Sequence, residues 1–181
     1  MICLDCNAAI AAFQSNPPPN VAVHRDRVRA FIRLNSPLRI AFPAVALSEY
    51  LWRADQAELD SEIHRVVGST MFVPAFDEMT ASISANLGRS YAAGRRLGDV
   101  ARQTSHDRIA LKADLLIVAI ALQHSVGYFL TGDPGCHAVA LHAKLNSILI
   151  NTLPDPPPPT APPPPRPTGT MKDLFEGIPE E

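Results

Sequence analysis

Cysteine is scarce in this chain: three residues in 181, at positions 3, 6 and 136. An odd number at such spacings excludes the disulfide framework of a small secreted protein. Long hydrophobic runs are also missing. The apolar stretch Leu115–Leu122 falls far short of the roughly 20 residues needed to cross a bilayer. Met1-Ile2-Cys3-Leu4-Asp5 has neither the basic start nor the apolar core of a signal peptide. Aromatic residues make up 6% and nowhere gather into a segment that predicts ring stacking. A net charge of -2 announces no partner. These absences leave a soluble protein of a reducing compartment, expected in the cytoplasm and away from membranes.

What is present is a 46% hydrophobic chain long enough to bury a proper core. Composition changes abruptly after Leu153: residues 154–167 hold ten prolines in fourteen positions. Such a segment is extended polyproline and joins neither sheet nor helix. It reads as a spacer, or as a ligand for a proline-binding domain, ending in the short amphipathic patch Met171–Ile178. The chain therefore divides into a domain, 1–153, and a flexible tail, 154–181.

Within the domain, Ile2-Cys3-Leu4 reads as a strand, and a helix begins at Ala8. Cys3 and Cys6 form a C-x-x-C, but a cysteine inside a strand is a small buried hydrophobe rather than a redox group. Only Cys136 and His137 offer themselves as further zinc ligands. Val21–Leu34 reads as one helix whose arginines, 25, 27, 29 and 33, suit a solvated face. Ile40–Phe42 is a short strand stopped by Pro43, and Ala44–Arg53 a helix. Further helices are expected over 58–67 and from Asp77 towards Leu97, with a strand at Met71–Val73 between them. Residues 98–107 read as a polar loop. The helix through Leu115–Leu122 should be buried on nearly all sides, with Asp114 in its first turn. Tyr128–Thr131 is a strand, Gly132–Gly135 a turn, 137–144 a short helix and Ser147–Ile150 a last strand. This order predicts an α/β domain around a mostly parallel sheet.

In such a fold Asp5, Glu49, Asp114 and Asp133 each follow a strand or lie near a helix start at one sheet edge, where open α/β folds bind ligands. Taken singly, Asp5 is equally a helix N-cap and Glu49 an ordinary surface residue. Together, four carboxylates repel unless cations lie between them, and an all-oxygen donor set suits Mg²⁺ or Mn²⁺. A loaded cluster activates water and stabilises charge on a phosphoryl group, which points to phosphodiester hydrolysis.

The segments Ile2–Asn7, Ser48-Glu49, Lys112–Ala119 and Leu130–Asp133 resemble, in order and spacing, the PIN-domain ribonucleases, most closely the VapC-type toxins of toxin–antitoxin pairs. The resemblance spans residues 1–153. The proline-rich tail, the triple proline at 17–19 and the polar stretch before Lys112 lie outside the pattern. It implies a three-layer α/β/α fold and endonucleolytic cleavage of RNA. It further implies that Asp5, Asp114 and Asp133 hold the principal Mg²⁺ or Mn²⁺, with Glu49 placing a second metal or the attacking water. Asn7 and Thr131 become supporting polar groups, a cognate antitoxin becomes a partner, and the chain becomes a homodimer.

Residues 1–153 carry 14 Lys and Arg against 13 Asp and Glu. With four acids committed to metal, the remaining surface is basic. Arg89, Arg95, Arg96, Arg102 and Arg108 are candidates for contacts to an RNA backbone. Two other readings compete. One is a phosphohydrolase with Asp5 as nucleophile, which usually wants a second Asp where Asn7 stands. The other is a catalytically inactive interaction module whose tail recruits a partner.

Overall fold

A computed structural model describes residues 1–52, 71–94 and 105–156. Four strands form one sheet: β1 (Ile2–Leu4), β2 (Ile40–Ala41), β3 (Tyr128–Thr131) and β4 (Ser147–Leu149). Their order is β2-β1-β3-β4 and every pairing is parallel, with Ile2 opposite both Ile40 and Tyr128. The described helices are α1 (Cys6–Phe13), α2 (Pro19–Ala22), α3 (Arg25–Leu34), α4 (Ala44–Trp52), α5 (Glu78–Gly94), α6 (Ser105–Gln123) and α7 (Pro134–His142). The expected α/β class with its parallel sheet is what the structure holds.

From β1 the chain crosses one way to β2, then passes back beyond β1 to reach β3. Parallel crossovers are right-handed, so the α1–α3 connection and the connection through α5 and α6 cover opposite faces, giving three layers. α1 lies against β1 and β3 and carries α2 and α3, while α5, α6 and α7 pack on one another. The central strands are sealed on both sides: Ile2, Cys3, Leu4, Phe129 and Leu130 have no exposed surface. So do Val118, Ala119 and Ala121 in the middle of α6, as an apolar run without a polar face requires. Among the described residues no helix is long and apolar enough to cross a membrane.

Several boundaries differ from the sequence reading, each for a local reason. Val21–Leu34 is two helices, α2 and α3, meeting at Val23-His24. Two of its arginines do more than face solvent. The Arg25 guanidinium donates to the carbonyls of Gln14 (2.6 Å) and Ser15 (3.1 Å), and Arg29 donates to that of Ala12 (2.8 Å). Cations thus satisfy the unpaired carbonyls at the end of α1, where the helix dipole is negative. Met71–Val73 is no strand: Phe72 alone forms a bridge to Ala41 and exchanges hydrogen bonds with Ile40 and Phe42. α5 starts as expected, with the Asp77 carboxylate accepting from the Thr80 N–H at 2.8 Å. These contacts hold the acid at about pKa 2. α6 begins at Ser105 rather than near Lys112, so Asp114 sits in its third turn, not its first. The helix expected over 58–67, the far end of α5 beyond residue 94 and the tail from 157 onward lie outside the described residues.

Candidate active site

The sheet order reverses between β1 and β3, because the chain leaves β1 towards β2 and returns on the other side. Neighbouring strands whose connections depart in opposite directions leave a crevice at their carboxyl ends, the usual ligand position in an open α/β sheet. Asp5 directly follows β1, and Asp133 follows β3 by two residues.

Asp5 caps α1. Its Oδ1 accepts from the Cys6 N–H at 2.6 Å, and its Oδ2 accepts from the Thr131 hydroxyl at 2.7 Å. Asp133 caps α7 in the same manner, with Oδ1 accepting from the N–H groups of Gly135 (2.6 Å) and Cys136 (3.3 Å). Its own N–H donates to the Thr131 hydroxyl oxygen at 3.0 Å. Thr131, completely buried, thereby ties the two aspartates together. Replacing it with valine removes the donor to one acid and the acceptor for the other while keeping the shape. Chemical denaturation should show a loss of about 1–3 kcal/mol, with Thr131→Ser retaining most of the stability.

Asp114 arrives from α6 and Glu49 from α4. Together with Asp5, Asp133 and Asn7 they line one cleft of about 140 Å³, whose remaining wall is Cys6, Ala110, Ala113 and Ile117. All four acids expected from the sequence therefore meet in one place, with Asn7 beside them and Thr131 behind. Among the described residues no arginine lines the cleft. Arg89 lies exposed on α5, its guanidinium on the Asn86 side chain at 2.6 Å. Arg108 lies within α6, and Arg95, Arg96 and Arg102 fall outside the described residues.

Burial is the main cause that pushes Asp5 up to about pKa 6. The hydrogen bonds from Thr131 and Cys6 offset part of it, and the charges of Glu49 and Asp133 add to it. Asp114 is pushed further, to about 7, by burial first and then by Asp133 and Asp5; a hydrogen bond from Cys136 works against this and Glu49 with it. The Cys136 thiol is driven far up by burial and by the same three aspartates, and the Cys3 thiol by burial and Asp5. Both stay protonated. The three cysteines are buried and unbridged, in keeping with their reading as small hydrophobes.

Two residues have roles at the carboxylates that the sequence did not indicate, since Cys136 was weighed only as a zinc ligand and Gly135 only as part of a turn. Cys136 bonds Asp114, and Gly135 makes room: a Cβ there would stand 3.0 Å from Asp133 Oδ1 and 3.6 Å from Asp114 Oδ2. The signal for both was Asp133-Pro134, an N-cap followed by proline at the first helical position. That pair starts α7 at Pro134, inside what reads as a turn.

Among the described residues no three Asp, Glu, His or Cys groups close onto a single point as they stand. The expected three-aspartate cage is thus not preformed, because Asp5 and Asp133 are each turned towards their own helix N-terminus. The donor set still fits Mg²⁺ or Mn²⁺. Mg²⁺ keeps several waters and binds through one or two carboxylates rather than a full protein cage, and a cleft of 140 Å³ has space for those waters. Mutual repulsion among the acids is the electrostatic deficit that a divalent cation offsets.

No protein-family model matches the chain, and no curated protein matches it by sequence. Among solved structures, VapBC2 from Rickettsia felis, bound to a DNA fragment from its promoter, matches at 16% identity and a TM-score of 0.48. That match covers 82% of this chain and 97% of the other.

Proposed function

We propose that this chain is a Mg²⁺- or Mn²⁺-dependent endoribonuclease, the toxin member of a toxin–antitoxin pair. One observation carries the catalytic part: four acids from four separated segments, Asp5, Glu49, Asp114 and Asp133, line a single cleft at the switch point of the sheet. RNA as substrate, a cognate antitoxin as partner and a homodimeric state follow from the resemblance of the segments around these acids to VapC-type toxins. A divalent cation held there supplies an activated water and neutralises charge developing on the phosphoryl oxygens.

The chain's own residues do the placing. Asp5 and Asp133 are fixed by backbone N–H groups and by the Thr131 hydroxyl, so their outer lone pairs point from a rigid base. Asp114 stands on α6, just before its buried middle, and Glu49 supplies a fourth carboxylate for a second cation or for orienting water. Ala110 and Ala113 contribute only small side chains to the wall of the cleft. The nucleophile alternative fares worse: Asp5 is 5% exposed and both of its oxygens are engaged.

The test is cleavage of a mixed RNA pool by the full chain with Mg²⁺ or Mn²⁺, and again with excess chelator. Cleavage that stops on chelation and returns with metal is expected. Cleavage indifferent to chelator would remove the metal from the reading, and RNA left intact under all metal conditions would remove the nuclease.

A further inference from the structure

A second cavity, of about 110 Å³, adjoins the acidic cleft. Asn7 lines both, and Gly132, next to Asp133, forms part of the second wall. Its other polar groups are Asn20 at the start of α2, Asn151 after β4, and His24 between α2 and α3. The Nδ1 of His24 is buried with no hydrogen-bond partner among the described residues. Val21 and Ile150, both buried, supply the apolar surface.

The lining chemistry selects the ligand. No carboxylate, lysine or arginine lines the cavity among the described residues, so it suits neither a cation nor a phosphate. Three carboxamides and an imidazole instead present uncharged donors and acceptors beside two aliphatic side chains. One water needs about 10–15 Å³, so the space takes a flat ring rather than a lone solvent molecule. Carboxamides read the edges of nucleobases through paired donor and acceptor groups, and single-stranded RNA offers unstacked bases whose edges are free. Gly132 keeps the two sites adjacent: a Cβ there would come within 3.0 Å of Asn7 Cβ and 3.2 Å of Ile150 Cδ1. The loop that carries Asn151 is held where Arg27 donates to the Asn151 carbonyl (3.4 Å) and pairs with Asp155 (2.6 Å).

We infer that this cavity is a specificity subsite, which receives an unpaired nucleobase adjoining the phosphodiester bound in the acidic cleft. The inference deepens the nuclease reading and rests on it. The test uses the full chain, with its side-chain amides observed by NMR, and the four nucleoside 5′-monophosphates, ribose 5-phosphate and inorganic phosphate as probes without divalent cation. One base is expected to shift the Asn20 and Asn151 amide signals selectively, with about tenfold weaker binding in Asn20→Ala or Asn151→Ala. Both residues are exposed, so these variants should fold. In cleavage of a random-sequence RNA pool the same variants should relax the base preference beside the cut while total cleavage persists. Equal response to ribose 5-phosphate or inorganic phosphate overturns the subsite, as does silence of both amides towards every base. A base-selective response in a protein that cuts no RNA upholds the subsite and sinks the nuclease reading instead.

Discussion

Asp114→Asn is expected to lower metal-dependent RNA cleavage on the order of a hundred- to a thousandfold and, at the same time, to raise the thermal midpoint of the metal-free protein at neutral pH. The substitution keeps the shape of the side chain and removes one charge. In the cleft that charge is held against burial and against the fields of Asp133, Asp5 and Glu49. An amide carries no such penalty and can donate to a neighbouring carboxylate, so the free protein gains. On the proposed reading, the metal-loaded protein loses one of its anionic donors. Opposite movements of activity and stability mark a residue retained for chemistry. Single-turnover cleavage and thermal unfolding in chelator measure the two sides. Asparagine leaving cleavage within threefold of the parent would place the chemistry elsewhere.

Metal-free stability should also depend on pH, with a sign opposite to that of ordinary paired carboxylates. Asp5 and Asp114 have folded pKa values of about 6 and 7, above the ordinary 3.8 that an unfolded chain approaches. Between those limits the folded state binds more protons than the unfolded one. Stability therefore falls as pH rises through the window from about 4 to 7, and levels off above it. Below that window Asp77, held at about 2, acts the other way and withdraws stability as the medium is acidified further. In chelator, the midpoint is expected to stand several degrees higher at pH 5 than at pH 8. Mg²⁺ should restore much of the difference at pH 8 and do little at pH 5, where protons already occupy the site. A midpoint that is flat or rises from pH 5 to 8 in chelator would mean that Asp5 and Asp114 are neither buried nor crowded enough to hold protons in the folded state.

The four acids were legible because strand ends and helix starts leave strong local marks. Asp5 follows an apolar triplet, Asp133 follows an aromatic and β-branched run, and Asp114 opens an apolar stretch with no wet face. Glu49 was legible only in company with the others. What stayed hidden depended on groups distant in sequence. Residues 105–107 read as the end of a polar loop because propensity alone does not reveal that α5 and α7 pack on α6 and support a longer helix. Arg25 and Arg29 read as solvated because the carbonyls they satisfy belong to α1, which ends a dozen residues earlier. The amide-lined cavity left no trace at all. Asn7 at the start of α1, Asn20 in α2 and Asn151 just after β4 come from three separate segments that only the fold brings together, and asparagine near an element end reads in sequence as turn chemistry.

The first strand of the chain is a central strand of the sheet, and the partner on which the cleft depends lies far downstream: the hydroxyl that holds Asp5 belongs to a residue 126 positions later. Closing so long a loop is slow, and pairings of this kind come late in folding. On a ribosome, where domains emerge from the N-terminus onward, Asp5 waits without Thr131, Asp133 or Asp114 until β3 has left the exit tunnel. Assembly of the cleft is thereby timed by synthesis. An unfinished chain carries the first acid but no cleft, so on the proposed reading no cleavage can begin until translation of the domain is nearly done.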